Sequence, residues 1–205
     1  PSGWGDWDLF AKPAKAAPPR PKWNEPRSKP LRDFEEVLLA HGSALRELAI
    51  YRPNCTQTEW NWADVPYGVD PLHGGLPVKR AERKRRQIEN LSNAASVLVR
   101  PGDVIVDFCS GAGAVGLALA HRHRDCTVIL LDFNPVSLEI ARKRVSSAGL
   151  SNVSVRSGRV EEFDEPFDVG VALHACGEAT DYSMLQCIRA SASFAMCPCC
   201  VGKVH

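Results

Sequence analysis

The sequence lacks any apolar run near the roughly 20 residues that a helix needs to cross a bilayer, which excludes a helical membrane span. It also lacks a global charge. Its 25 Lys and Arg face 24 Asp and Glu, a formal net charge of +1, so no whole-molecule field draws in nucleic acid. The balance is uneven along the chain, however: residues 1–100 hold 16 Lys/Arg against 12 Asp/Glu, and the remainder holds 9 against 12. Methionine is scarce, and no Met stands at position 1, so the chain reads as an excised or processed piece. Cysteine is not scarce. Eight in 205 residues, several inside apolar runs, do not make a small secreted disulfide scaffold. They predict a reducing, intracellular compartment, the cytoplasm first and an organelle second.

The most informative segment present is residues 104–116, Val-Ile-Val-Asp-Phe-Cys-Ser-Gly-Ala-Gly-Ala-Val-Gly. An apolar strand ends in an acid, and a glycine turn then opens a helix near Ala112. Glycines let the backbone approach a ligand closely, and the helix start offers unpaired N–H groups and a positive dipole end. Gly111, Gly113 and Gly116 also satisfy the dinucleotide spacing G-x-G-x-x-G, so glycines alone do not separate a nicotinamide cofactor from S-adenosylmethionine. Asp107 tips the choice. A carboxylate four residues before the first glycine suits the cationic methionine end of S-adenosylmethionine, with Cys109 beside it in the turn. A second acid, Asp132, closes the next apolar run and stands where an acid reads both ribose hydroxyls in such βαβ units. The competing reading is a tight turn followed by a helix cap.

Along the chain, residues 1–30 read as an extended arm: prolines at 18, 19, 21, 26 and 30 forbid a continuous helix, and Trp4, Trp7 and Trp23 give it docking groups. Residues 31–50 carry apolar positions at helical spacing, and residues 51–77 form a long irregular connection expected to wall the active site. Residues 78–205 are the cofactor-binding domain. It opens with a helix over about 79–99, in which Lys79, Arg80, Arg83, Lys84, Arg85 and Arg86 place six positive charges within eight residues. Two readings stand, a solvated basic face or a phosphate-binding surface for RNA. The stripe Ile88, Leu91, Ala95 and Leu98 should pack on the sheet, leaving Gln87 and Asn90 near the strand ends, either as ligands of the cofactor carboxylate or as surface amides.

Beyond the loop, strands over 104–108, 127–131, 153–156, 167–173 and 192–196 alternate with helices over 112–121, 135–148 and 180–188. Asn134 and Pro135 start the second of these helices, and Gly149 ends it. Alternation with right-handed crossovers predicts an α/β fold, a mostly parallel sheet with helices on both faces and ligands at the carboxyl strand ends.

Three motifs together carry a resemblance: residues 104–116, the run His174-Ala175-Cys176-Gly177-Glu178-Ala179-Thr180-Asp181, and Cys197-Pro198-Cys199-Cys200. With the stretch from Arg80 to Leu91, this chain resembles the methyltransferase domain of the glutathione S-transferase C-terminal domain-containing proteins. That domain is similar in turn to the methyltransferase-like 25 group and to tRNA acceptor-stem 2′-O-methyltransferases. The resemblance implies a Rossmann-like, class I, S-adenosylmethionine-dependent fold and no single substrate. Two departures stand out: Arg159 occupies the place after strand three where many such enzymes set an adenine-reading acid, and the chain stops just past strand five, so the last two strands are expected to be missing and the fifth edge open to a protein partner.

His174, at the end of strand four, is a candidate general base, with Asp181 as its orienting partner or as a helix cap; a structural histidine is the alternative. The C-x-C-C cluster invites a metal, but its spacing is not that of zinc ribbons, and thiols lining a pocket or packing in the core are preferred; no metal ligands are assigned. The functional expectation is an S-adenosylmethionine-dependent methyltransferase acting on RNA or protein. The alternative is a non-catalytic, methyltransferase-like structural subunit of a larger assembly. A nicotinamide oxidoreductase ranks last.

Overall fold

The strands β1 (Val104–Phe108), β2 (Thr127–Asp132), β3 (Val153–Ser157), β4 (Val169–Leu173) and β5 (Ser193–Cys197) form one sheet in the order 3-2-1-4-5, with every pair parallel. These elements come from a computed structural model that describes residues 60–198. The arm at 1–30, the stretch at 31–50, Cys199 and Cys200 lie outside the described residues.

Successive side chains of a strand point to opposite faces, so strands apolar at every position must be covered on both. Ile105, Val128, Leu130, Val169 and Val171 enter one core. There they meet α1 (Val78–Ser96) through Ile88, Leu91 and Ala95, α2 (Ala114–Arg122) through Val115 and Leu119, and α3 (Pro135–Ala148) through Ala141. Val106, Phe108, Ile129, Leu131 and Ala172 enter the other core, with Cys187 of α4 (Glu178–Ala190). In that second core the ring of Phe108 meets Phe167 and Phe163 edge-on, at centroid distances of 5.5 and 5.9 Å. Helices thus cover both faces. α4 comes so close to β4 that a Cβ on Gly170 would lie 2.3 Å from Cys187 Sγ.

Local chemistry fixes the boundaries. Asn134 accepts from the amides of Val136 and Ser137 at 3.0 and 3.4 Å, Pro135 starts α3, and Gly149 closes it in the left-handed region at φ 61°. The first helix of the repeat starts at Ala114 and not at 112, because Gly113 stands at φ 76° and ends the turn there. The last helix starts at Glu178, two residues before the sequence pattern suggests, with Gly177 at φ 63° as its cap. β4 starts at Val169 because Phe167 turns into the core and Asp168 accepts the Val104 amide at 2.8 Å.

The irregular segment before α1, described from Trp60 onward, is laid across the helices, and Leu76 at its end lines a cavity. Trp60 and Trp62 stack at 5.4 Å; Trp60 donates to Asn93 at 3.3 Å, and Trp62 donates to Glu89. Asp70, 2% exposed, receives both Nε and Nη2 of Arg85, and the Arg85 guanidinium lies 5.1 Å from the Trp62 ring. From α3, Arg144 donates to the carbonyls of Gly68, Val69 and Ala112 at 2.8, 3.0 and 2.8 Å. One guanidinium therefore ties this segment to the glycine loop. Burial holds its pKa below the usual arginine value, against the pull of Asp70.

Candidate active site

Strand order reverses between β1 and β4, which opens a crevice at their carboxyl ends, the place where parallel α/β sheets bind ligands. The residues leaving these two strands are both held in the left-handed region, Cys109 at φ 53° and His174 at φ 67°. Such conformations are costly for residues with a Cβ and gather at functional sites.

The glycine loop is braced from beneath by two acids. Asp132 accepts the Gly111 amide at 2.7 Å on one oxygen and the Asn134 amide at 2.8 Å on the other, tying together the turns that follow β1 and β2. Asn134, not Asp132, caps α3. Asp107 accepts the Gly116 amide at 2.8 Å and is 2% exposed. It sits behind the loop, almost entirely out of solvent. Burial pushes its pKa up to about 7 against the Gly116 amide and Lys84, and Asp132 adds to the rise.

The three glycines do different work. A Cβ on Gly116 would lie 2.2 Å from Leu130 Cδ2 and 3.1 Å from Asp107 Oδ2, and one on Gly113 would lie 2.6 Å from Leu130 Cδ1. These two let the helix press onto β2. Gly111, at φ 56°, has nothing within 4 Å of a Cβ and faces open space. Nearby, Ser110 Oγ is shielded from solvent without a hydrogen-bond partner among the described residues.

Two cavities of about 270 Å³ each lie near the carboxyl strand ends, one reaching Cys109 after β1 and the other His174 after β4. One is lined by Cys109, Phe133, Arg159, Glu161, Cys176 and Tyr182, among others. Phe133 is 69% exposed at its edge, a flat apolar ring beside an acid-ended strand. Arg159 does not point alone into it, since its Nε donates to Glu161 at 2.7 Å. Burial, then Asp132 and Asp107, push the Cys109 thiol up to about 11, which keeps it protonated. The second cavity is lined by Leu76, Arg80, Arg83, Lys84, Gln87 and His174.

His174 meets Gln87 across the molecule, Nε2 to Oε1 at 3.2 Å, and its amide donates to the Cys197 carbonyl at 3.1 Å. Burial and the charge of Lys84 hold the imidazole below its ordinary pKa, so it is neutral at neutral pH. The pairing with Asp181 is not what the structure shows. Asp181 is exposed in the first turn of α4, and no side chain caps that helix. The partner that His174 meets is the side-chain amide of Gln87, on α1. Gln87 is therefore placed against His174, and Asn90, one turn further on, is exposed and lines neither cavity. Among the described residues no group of three or more His, Cys, Asp or Glu is arranged to hold a metal ion.

A family profile described as a methyltransferase domain matches residues 83–205, which include the glycine loop, both acids and His174. The chain belongs to that methyltransferase family. This methyltransferase domain is 44% identical over 151 residues to the human glutathione S-transferase C-terminal domain-containing protein, covering 74% of this chain and 24% of that protein. It is 45% identical over 140 residues to the Drosophila melanogaster homolog, covering 67% and 24%. The chain thus spans about a quarter of the length of the curated relatives it matches. Among solved structures, a SAM dependent methyltransferase from Aquifex aeolicus superposes with a TM-score of 0.45 at 17% identity, covering 55% of this chain and 65% of that one.

Three residues around the cavity and the glycine loop escape a reading by motif. Phe133 carries a signal, an aromatic directly after the acid that ends β2. Tyr182 and Arg144 carry none, because their positions matter only through contacts made across the fold.

Proposed function

We propose that this domain binds S-adenosylmethionine and transfers its methyl group to an acceptor on RNA or protein, with RNA preferred. The observation that carries the reading is the double bracing of the glycine loop, Asp132 on Gly111 and Asp107 on Gly116, at the ends of adjacent parallel strands. The residues fit this cofactor. Asp132 would accept from the ribose hydroxyls, Gly111 leaves the approach open, Phe133 would offer a face for the base, and the buried charge of Asp107 would favour the cationic end. When bound, S-adenosylmethionine supplies a methyl already activated on a sulfonium, so the protein's share is chiefly orientation and electrostatics.

His174 serves as the general base toward the acceptor, being neutral at working pH and held by Gln87. Cys109 would pack against the cofactor as a protonated thiol, with no nucleophilic part. RNA is preferred because α1 turns part of its basic run toward the His174 cavity. The test is methyl transfer from a labelled donor to separate pools of RNA and protein, with His174→Ala beside the parent: label should enter RNA with the parent and not with the variant.

A second reading, a non-catalytic subunit that keeps the fold, is favoured by two observations: Arg159 is neutralised by Glu161 where an acid would read the base, and Asp107 is sealed off. Cofactor binding with no transfer to either pool would support it.

A further inference from the structure

α1 divides its positive charges unequally. Ala81, Ile88, Leu91, Ser92 and Ala95 are buried and fix the rotation of the helix, and Arg85 is drawn off to Asp70. Arg80, Arg83, Lys84 and Gln87, at i, i+3, i+4 and i+7, then share one flank. That flank faces His174 across the second cavity. Among the described residues three cations line this space, and no acid does. Like charges at i, i+3 and i, i+4 repel and weaken a helix. Their clustering here is not explained by α1's own stability.

We infer that this cavity is an anion site for a phosphate ester carried by the methyl acceptor, placed directly beside His174. Two guanidinium forks match the several oxygens of a phosphate better than the single planar edge of a carboxylate. The volume, about 270 Å³, is near the small end of ligand pockets and admits a phosphate with its attached sugar. Lys84 links this site to the other half of the crevice, because its charge reaches both His174 and Asp107. The inference rests on the methyltransferase reading and narrows it: the reacting group of the acceptor lies next to a phosphate. Because the cavity has room for a sugar, the carrier proposed is an RNA strand.

The test uses the whole chain and a fluorescent single-stranded oligoribonucleotide followed by anisotropy, with inorganic phosphate as competitor and a phosphoserine peptide as the alternative carrier. Arg80→Gln/Arg83→Gln should weaken RNA binding by about tenfold or more and abolish competition by phosphate. Lys79→Gln/Arg86→Gln, which removes equal charge outside the cavity, should weaken it by only about twofold. Arg80→Lys/Arg83→Lys, which keeps the charge, should recover most of the loss. Equal losses in the two Gln pairs, or no competition by phosphate against the parent, would overturn the anion site. Tighter binding of the phosphopeptide than of RNA would overturn the carrier. S-adenosylhomocysteine binding, measured in the same samples, should be the same in parent and variants; its absence from the parent would instead overturn the cofactor reading.

Discussion

Asp107 and Gly116 are joined by a 2.8 Å hydrogen bond that runs from the first amide turn of α2 to a carboxylate buried at the end of β1. The same bond positions the loop and hides a charge. Burial pushes the Asp107 pKa up to about 7, so the folded state holds this proton more tightly than the unfolded chain does. The sign follows from proton linkage: the contribution to stability is complete below the ordinary aspartate pKa and is lost as pH rises to about 7. Asp107→Asn removes that loss. At about pH 8 the ligand-free variant should be more stable than the parent, by on the order of 4 kcal/mol, and at about pH 4 the two should nearly match, as read by urea unfolding.

Ligand affinity should show the complementary dependence. A cationic ligand end favours ionised Asp107, so the affinity of the parent for S-adenosylhomocysteine should rise as pH climbs toward about 8, with proton release on binding below that. Asp107→Asn should bind more weakly and with little change over the same range. A parent whose affinity is flat across that range would contradict the electrostatic role.

Gly111 and Gly116 should separate fold from function. Gly116→Ala drives a methyl into Leu130, which is fully buried, and should cost about 1 to 3 kcal/mol, partly relieved by Leu130→Ala. Gly111→Ala meets no atom and carries only the strain of its positive φ, roughly 1 kcal/mol, yet it places a methyl on the approach to the loop. Thermal melts should rank Gly116→Ala below Gly111→Ala, while cofactor titration should find Gly111→Ala impaired despite its fold.

Arg144 should be costly to lose. Arg144→Met leaves the carbonyls of Gly68, Val69 and Ala112 without their donor, and a loss of about 2 to 4 kcal/mol is expected. Limited proteolysis should then cut first between residues 60 and 75.

His174 gives a kinetic signature once an acceptor is in hand. With its pKa lowered by burial and by Lys84, the acidic limb of the rate profile should fall below the ordinary imidazole value. Lys84→Gln should move that limb upward, and Asp181→Asn should leave it in place.

Much of the fold was legible because strands buried on both faces spell unbroken apolar runs, and because Asn134, Pro135 and Gly149 mark α3 by local chemistry alone. The helix starts slipped by two residues where left-handed glycines at 113 and 177, invisible to periodicity, set the entry. The acids Asp107 and Asp132 were legible as strand terminators, but their orientation was not: a spacing rule does not say that both first hold loop amides. His174 was legible as a strand-end residue, whereas its partner lies 87 residues earlier, on a helix whose rotation is set by packing. The basic run concealed the same problem, since Arg85 belongs to Asp70 and only a tertiary contact separates it from its neighbours.

The most direct measurement is calorimetric titration of the folded chain with S-adenosylhomocysteine, run beside Asp132→Ala. A saturable isotherm near one ligand per chain, weakened by about tenfold or more in the variant, is the expected result. A folded parent that takes up no ligand, or a variant that binds as the parent does, would contradict the cradle formed by the braced glycine loop.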